Sequence, residues 1–297
     1  MTGANDFPEL PAGVAVAAWD GARLLCRGPG IRLPVFSVTK MFVAAAVLRL
    51  AEQGRLELDA CLADVVPAAP AGATVRDALR HTAGLGDYTH AAPYADAVAD
   101  APADPWPLDR IVAASTADPA PAGRRLPPAG SFSYSNVGYW LLGDLLERVQ
   151  RGPLPVLLRE LVFAPSGMAS ARYPTVAESL TPAGYSTLWA GPAGACWSSA
   201  ADLVRFLRSP GLAPASFSLM VDAVPVDAGD PWIAPGYGLG AMVDSGRGTW
   251  GHGGGGPGYS SAAFAAGEGG RCAAVIAPES SGVDPVRCAL DFLARGD

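Results

Sequence analysis

The chain has 297 residues, of which 50% are hydrophobic and 16% are charged, and its formal net charge is −7 at pH 7. This composition excludes a disordered chain, because it supplies enough apolar side chains for one large or two modest folded domains. The negative charge and the lack of any basic run argue against nucleic acid and anionic membrane surfaces as partners.

The first thirteen residues contain neither a basic nor an apolar segment, so we expect no signal peptide and a cytoplasmic location. The most apolar run, Met41 to Leu50, is too short to span a bilayer and includes Arg49. The cysteines form no C-x-x-C pair and are odd in number, which indicates reduced thiols rather than a disulfide framework or a zinc site. They are Cys26, Cys61, Cys196, Cys272 and Cys288.

Two short strand-like runs open the chain, Val14 to Trp19 and Ala22 to Arg27. Asp20-Gly21 between them predicts a β-hairpin, because this dipeptide suits the tight turn that joins two antiparallel strands. A long apolar segment then begins near Ser37 and is predicted to be helical until Gly54 stops it.

Residues 55 to 230 are predicted to form helices and loops. Within them, residues 86 to 129 are rich in Ala, Pro and Asp, and we expect a long ordered excursion with one short helix, Leu108 to Ser115. The other predicted helices begin at capping boxes or carry an apolar stripe. They are residues 75 to 80, Asn136 to Val149, Leu154 to Val162 and residues 200 to 207.

After residue 236, short apolar runs alternate with glycine-rich turns, which is typical of antiparallel strands. The runs are Leu239 to Val243, Gly248 to Gly251, Ser260 to Ala265 and Arg271 to Ile276. Asp284-Pro285 then starts a final helix. We therefore predict an α+β fold. Residues 1–55 and 231–297 would form a domain with a mixed antiparallel sheet, residues 56–230 an inserted helical domain, and the cleft between them the active site.

Ser37 and Lys40 lie three residues apart at the start of the predicted helix, so their side chains share one face. A neutral lysine can take the proton of a serine hydroxyl, and the serine can then attack a carbonyl carbon. The positive end of the helix dipole favours the anion that develops there. The alternative is that Ser37 only caps the helix and that Lys40 is a solvated helix residue.

Of the 21 lysine and arginine residues, Lys40 is the only lysine. Arginine keeps its proton in proteins, whereas a desolvated lysine can lose it. A single lysine at the one position that requires a deprotonatable cation favours the catalytic interpretation. We therefore expect burial to lower the pKa of Lys40.

The tripeptide Tyr134-Ser135-Asn136 follows a turn rich in Pro and Gly and precedes a predicted helix. In the functional interpretation Tyr134 transfers protons beside Lys40, whose charge would lower the pKa of the phenol. Asn136 would then bind an amide or carbonyl oxygen of the substrate. In the simpler interpretation Ser135 or Asn136 caps the helix and Tyr134 is a packed ring.

The segment from Gly251 to Gly256 matches the G-x-G-x-x-G pattern, but a strand-like run follows it where a dinucleotide-binding loop requires a helix. The glycines instead predict a strand edge along which a substrate can lie, with backbone N–H groups as oxyanion donors. His252 lies in this segment, while we expect His81 to satisfy a buried turn and His90 to be solvated. With no clustered metal ligands and no G-x-S-x-G, neither a metal, nor a cofactor, nor an α/β-hydrolase is predicted.

The ordered set Ser37-x-x-Lys40, Tyr134-Ser135-Asn136 and His252-Gly253-Gly254 resembles the serine β-lactamase-like superfamily. The most similar branches are class C β-lactamases, D-alanyl-D-alanine carboxypeptidases and β-lactamase-like esterases. The likeness covers nearly the whole chain, apart from a shortened segment between Arg27 and Pro34 and the expected lack of an export signal. Further matching segments are Leu56 to Asp59, His81 to Leu85, Gly138 to Gly143 and Gly236 to Gly240.

The resemblance implies that Ser37 is acylated while Lys40 and Tyr134 transfer protons. It implies an oxyanion hole formed by the backbone N–H groups of Ser37 and Gly255. It also implies a set of substrate-binding residues, namely Asn136, His252 and Gly254. In class C enzymes the position of His252 is the lysine of K-T-G, and the H-x-G form is more typical of peptidases and esterases.

We therefore expect a cytoplasmic serine hydrolase or acyltransferase that acts through an acyl-enzyme on a small ester, thioester or amide, with water or an amine as acceptor. The first alternative is a D-amino-acid-specific peptidase, a carboxypeptidase or a β-lactamase. The second is a slow-turnover receptor that binds penicillins or peptides. Aromatic side chains in loops predict either an apolar substrate pocket or simple packing; they are Trp106, Trp189, Trp232, Tyr88 and Tyr185.

Overall fold

The computed structural model describes residues 9–116, 128–267 and 270–294. Its first two strands pair antiparallel, and the side chain of Asp20 closes the turn by accepting hydrogen bonds from the backbone N–H groups of Ala22 and Arg23. The predicted hairpin is confirmed. Part of the predicted excursion, residues 117–127, lies outside the described residues.

A large antiparallel sheet organises the described part of the chain, with the strand order β2-β1-β10-β9-β8-β7-β6-β5, and β3 pairs separately with β4. The strands are β1 (Ala15–Trp19), β2 (Leu24–Arg27), β3 (Leu33–Pro34), β4 (Trp197–Ser198), β5 (Val224–Pro225), β6 (Pro235–Tyr237), β7 (Met242–Asp244), β8 (Thr249–Gly256), β9 (Tyr259–Ala266) and β10 (Cys272–Pro278). Strands from both ends of the sequence meet in this sheet, because β1 pairs with β10. The predicted α+β fold is confirmed.

The helices connect the strands and cover the sheet. They are α1 (Thr39–Glu52), α2 (Val75–Arg80), α3 (Tyr94–Asp100), α4 (Leu108–Thr116), α5 (Asn136–Gln150), α6 (Leu154–Leu158), α7 (Ala200–Arg208), α8 (Pro214–Val221) and α9 (Pro285–Ala294). In the described ranges, no helix is both long and apolar enough to cross a membrane.

Helix α1 lies at the centre of the main hydrophobic core. Ten consecutive residues, from Thr39 to Leu48, are buried, so the helix is enclosed on all sides and not only along one stripe. Aromatic rings from two later elements, Phe163 and Phe206, contact Phe42 edge-on. A helix held this firmly is a rigid support for the residues at its N-terminus.

Helices cover both faces of the sheet. Helix α7 packs against β1 and β10 on the side of α1, and α9 packs against β9 and β10 on the opposite side. The proposed division of the chain at residues 55 and 231 stays a prediction. We note that Val224–Pro225, from the predicted insert, is an edge strand of the large sheet.

The structure differs from the predicted helices in two places. The excursion contains a second helix, α3, and α8 was not predicted, because neither has a capping residue whose side chain binds the first turn. The capping box predicted at Ser199 is only half formed. Its side chain accepts from the backbone N–H of Asp202, but the Asp202 carboxylate accepts hydrogen bonds from Ser170 instead of turning back to Ser199.

Candidate active site

Ser37 lies in a short 3₁₀ turn, Phe36–Val38, that leads into α1. The preceding residue, Phe36, has a φ of 44°, a left-handed conformation that costs a non-glycine residue on the order of 1 kcal/mol. Its buried ring lies against Gly256 of β8, where a Cβ would stand 2.3 Å from a ring carbon. Packing of this ring against a bare strand thus fixes the strained turn that presents Ser37 at the end of the helix.

Lys40 is fully buried and its Nζ is surrounded by oxygen acceptors. It lies 3.1 Å from Ser37 Oγ, 2.7 Å from Asn136 Oδ1 and 2.9 Å from the carbonyl oxygen of Ala193. The alternative of a solvated helix residue is therefore wrong. The geometry leaves the amine in direct contact with the hydroxyl that it would deprotonate.

Burial lowers the pKa of Lys40 to about 7, and the charge of Asp87 partly opposes this effect. The predicted fall in the pKa of this lysine is confirmed. At neutral pH a substantial fraction of the side chain is then an uncharged amine, the form that can accept a proton.

The sequence did not lead us to predict a role for Asp87, although this residue orients the side chain of Asn136. Its Oδ2 accepts hydrogen bonds from both the backbone N–H and Nδ2 of Asn136, each at 2.9 Å. This fixes the side-chain amide so that Oδ1 faces Lys40. The local signal was Asp87 two residues before Thr89, whose N–H and hydroxyl both bind the carboxylate in an Asx-type turn. Substrate binding by Asn136 stays a prediction, since both ends of its amide already have protein partners.

Tyr134 lies beside both catalytic candidates. Lys40 Nζ is 4.8 Å from the centroid of its ring, and the Ser37 side chain is a hydrogen-bonding neighbour of its hydroxyl. Burial raises the pKa of Tyr134, and this effect exceeds the opposite effect of the hydrogen bond with Ser37. The expectation that the ammonium would lower the pKa of this phenol is wrong. Lys40 is itself partly uncharged here, and desolvation of the phenolate dominates.

His81 lies in a buried turn, as predicted, and its ring also holds the tripeptide Tyr134-Ser135-Asn136 in place. It ends α2 in a left-handed conformation with a φ of 60°, and its Nδ1 accepts a hydrogen bond of 3.2 Å from the N–H of Ser135. Its ring lies 4.3 Å from that of Tyr134, centroid to centroid. Ser135 caps α5, accepting from the N–H of Val137 and donating to the carbonyl of Gly86. His90 is exposed.

His252 is fully buried on β8, and its Nε2 lies 2.9 Å from the hydroxyl of Tyr237. Its Nδ1 contacts the carbonyl oxygen of Gly253. Desolvation, followed by the nearby Lys40, lowers the pKa of His252 to about 3. The imidazole is therefore neutral at pH 7, unlike a lysine at this position.

The glycine-rich half of β8 has a free edge beside Ser37. Strand β7 pairs only with Thr249–Gly251, so within the described residues the edge from His252 to Gly256 has no strand beside it on that side. A Cβ on Gly254 would stand 2.9 Å from the backbone nitrogen of Ser37, which shows how closely the strand approaches the turn. The predicted substrate-binding edge is geometrically available. The pairing of the Ser37 and Gly255 N–H groups as an oxyanion hole stays a prediction.

A cavity of about 440 Å³ opens between these elements. It is lined by Ser37, Tyr134, Pro231, Trp232, Met242, Gly253, Gly254, Gly255, Asp284 and Val286. Among the aromatic loop residues, Trp232 thus faces the site. The others, Trp106, Trp189, Tyr88 and Tyr185, are buried and form a packed aromatic cluster with Tyr94. In the described residues, no group of three or more His, Cys, Asp or Glu side chains could hold a metal ion.

The large antiparallel sheet with helices on both faces has the fold of the β-lactamase-like class, a family of serine hydrolases. The family model described as Beta-lactamase matches residues 7–289, and the chain belongs to that family. It is 31% identical to Penicillin-binding protein 4 of Amycolatopsis lactamdurans over an alignment 300 residues long, gaps included, and this alignment covers 84% of this chain and 71% of that protein.

Two further similarities concern hydrolases. A D-aminopeptidase of Cereibacter sphaeroides is 28% identical over 173 residues, 53% of this chain, but the match spans only 30% of the length of that protein. The crystal structure of a D-stereospecific amidohydrolase from Streptomyces sp. has a TM-score of 0.75 and 25% sequence identity, and the match covers 89% of this chain and 88% of that chain.

Proposed function

We propose that the protein forms an acyl-enzyme on Ser37 with a small ester, thioester or amide and passes the acyl group to water or to an amine. The observation that carries this proposal is the fully buried Lys40, whose pKa is near 7 and whose Nζ lies 3.1 Å from Ser37 Oγ. A buried lysine that served only to stabilise the fold would not need to contact a partly exposed serine at the wall of a cavity.

In the first step neutral Lys40 takes the proton of Ser37 as Oγ attacks the carbonyl carbon of the substrate. The oxyanion binds to the N–H groups of Ser37 and Gly255. As the tetrahedral intermediate collapses, the proton passes from Lys40 to the leaving group. Because its pKa is raised, Tyr134 keeps its own proton at neutral pH, which suits a donor and relay in this transfer better than the initial base. Attack by water or an amine then releases the acyl group.

The decisive experiment is labelling with a fluorophosphonate, followed by mass spectrometry of the intact protein and its peptides. We expect one adduct, located on Ser37, and no adduct on the Ser37→Ala variant. Ser135 is a suitable internal control, because it is buried in the helix cap. A folded protein that forms no adduct on Ser37 would refute the proposal.

The rate of acylation should depend on pH through Lys40. The base is active when neutral, so acylation should be nearly constant above pH 8 and should fall tenfold per unit as the pH drops below about 7, where the lysine becomes protonated. His252 cannot produce this limb, because its pKa is lowered to about 3. Single-turnover acylation between pH 5 and 9 measures the effect, and a flat profile over that range would contradict it.

Asp87→Asn should slow acylation roughly 10- to 100-fold, which corresponds to the loss of charge-assisted hydrogen bonds to Asn136. It should also move the acidic limb to lower pH, because the Asp87 charge raises the pKa of Lys40. The matched control is Asp96→Asn, which removes a charge from an exposed position on α3. Equal pH profiles for the two variants would show that Asp87 has no electrostatic role.

A second candidate function is hydrolysis of D-amino acid amides or of D-amino-terminal peptides. Two relatives carry names of this kind, and the site supplies a further reason. D-Ala-terminated peptides and penicillins both carry a carboxylate, which a cation should bind, and the neutral His252 provides none. Turnover of D- and L-amino acid amides should therefore exceed that of D-Ala-terminated peptides and nitrocefin. A long-lived adduct without turnover of any of these would support the receptor alternative.

A cytoplasmic setting also stays a proposal. All five cysteines are thiols and not disulfides in the structure, two of them buried and two exposed, which suits a reducing compartment. Cell fractionation of the natural host with an antibody against the protein would test this setting.

A further inference from the structure

The cavity beside Ser37 is lined by a single charged side chain, Asp284, among the described residues. Lys40 does not line it, because it lies behind Ser37 and is fully buried. The buried His252 bonds to Tyr237 and also does not line it. A ligand in the cavity thus meets one carboxylate and no cation on the described walls.

Among the described residues, only Oδ1 of Asp284 has hydrogen-bond donors. Oδ1 accepts hydrogen bonds from the N–H groups of Val286 and Arg287, at 2.9 and 3.1 Å, and so starts α9. No described group donates a hydrogen bond to Oδ2. Arg287, three residues further along the chain, binds Asp230 through its guanidinium, and from there its charge interacts with Asp284 only through space. The side chain is exposed, so its second oxygen remains available to a ligand.

The adjacent wall is Trp232, on a loop with several fixed backbone groups. The N–H groups of Ile233 and Ala234 each donate 2.9 Å hydrogen bonds to the buried Asp244, and Arg247 donates to the carbonyl of Pro231. The Trp232 ring packs edge-on against Phe264, with centroids 5.7 Å apart. A buried carboxylate that fixes a surface loop explains how an indole can remain at the cavity wall as a rigid surface.

We propose that Asp284 and Trp232 form a subsite for a cationic group of the substrate, a primary ammonium or a larger organic cation. A carboxylate with a free oxygen neutralises the charge, and an indole face attracts it through its quadrupole. The subsite rests on the proposed function, because its position beside Ser37 matters only if Ser37 reacts. The substrates that fit this subsite are esters and amides that carry a positive charge in the acyl part or in the leaving part.

The test compares two matched p-nitroanilides, that of D-phenylalanine, which bears an ammonium group, and that of 3-phenylpropionic acid, which lacks it. We expect kcat/KM to favour the cationic substrate at least ~10-fold, in keeping with an exposed ion pair supplemented by an aromatic face. Asp284→Asn should abolish this preference, and the variant should still fold, since asparagine also caps helices well. Asp291→Asn, an exposed neutralisation on the same helix, is the control and should retain the preference.

Two further measurements separate the outcomes. Phenethylamine should protect Ser37 from fluorophosphonate labelling better than phenethyl alcohol in the wild type, but not in Asp284→Asn, and this requires no turnover. A choline ester compared with its neutral 3,3-dimethylbutyl isostere tests a cation in the leaving part. If Ser37 reacts but neither cationic substrate is preferred, the subsite is wrong and the proposed function survives. If Ser37 does not react at all while the protein is folded, the proposed function fails first.

Discussion

Lys40→Arg should slow acylation of Ser37 at least ~10³-fold, about 4 kcal/mol of activation free energy. Arginine keeps the positive charge but cannot release its proton near neutral pH, so the base is removed while the charge remains. The variant should still fold, because α1 is held by apolar contacts along its whole length. Single-turnover acylation and the melting temperature measure the two effects separately.

Two other variants complete this experiment. Lys40→Met removes both charge and base at similar length and should be as inactive as Lys40→Arg. Arg49→Lys exchanges the basic residue at the other end of α1, where Arg49 donates to the carbonyl of Gly211. It should lower the melting temperature without changing the acylation rate. An active Lys40→Arg enzyme of unchanged stability would remove Lys40 as the base, and Tyr134 would then have to serve alone.

The parts of the site that the sequence predicts well are those with local signals. Ser37 and Lys40 are three residues apart on a helix, so the contact between their side chains follows from helix geometry. The hairpin follows from Asp20-Gly21. The glycine-rich edge of β8 follows from a run of glycines with a strand-like segment after it, where a dinucleotide-binding loop requires a helix. Burial of Lys40 was also predictable, because the surrounding helix is almost entirely apolar.

The parts that the sequence did not predict depend on contacts between distant segments. The direction of the Tyr134 pKa shift is set by burial, and the rings of His81 and Tyr237, which pack against Tyr134, come from separate elements. The bond between Asp87 and Asn136 spans 49 residues and joins a loop to a helix. Neither can be read from a pattern of neighbours, because local spacing carries no information on which loops enclose a side chain.

The aromatic loop residues show the same limit. The sequence left open whether five of them line a pocket or only pack, and both answers occur. Trp189 is buried, and its indole N–H donates to the carbonyls of Ala101 and Pro102, so it fastens the excursion to the core. Trp232 lines the cavity, and the backbone that follows it is held by hydrogen bonds to the buried Asp244.

Gly254→Ala should reduce acylation of Ser37 by roughly 10²- to 10³-fold, the cost of losing an oxyanion donor. The added Cβ would stand 2.4 Å from the carbonyl oxygen of Val35 and 2.7 Å from Ser261 Oγ, which are themselves joined by a 2.7 Å hydrogen bond. The strand must therefore move away from the Ser37 turn, and its N–H groups move with it. Fluorophosphonate labelling kinetics and the melting temperature are the measurements.

Gly255→Ala is the matched control for this effect. A Cβ at Gly255 meets no atom within 4 Å, so the backbone of β8 can stay where it is and its N–H group keeps its position. With a small fluorophosphonate as probe, this variant should label within about threefold of the wild-type rate, a difference below 1 kcal/mol. If Gly254→Ala labels equally fast, the two N–H groups do not need the close approach of β8 to Ser37, and the oxyanion hole must be sought elsewhere.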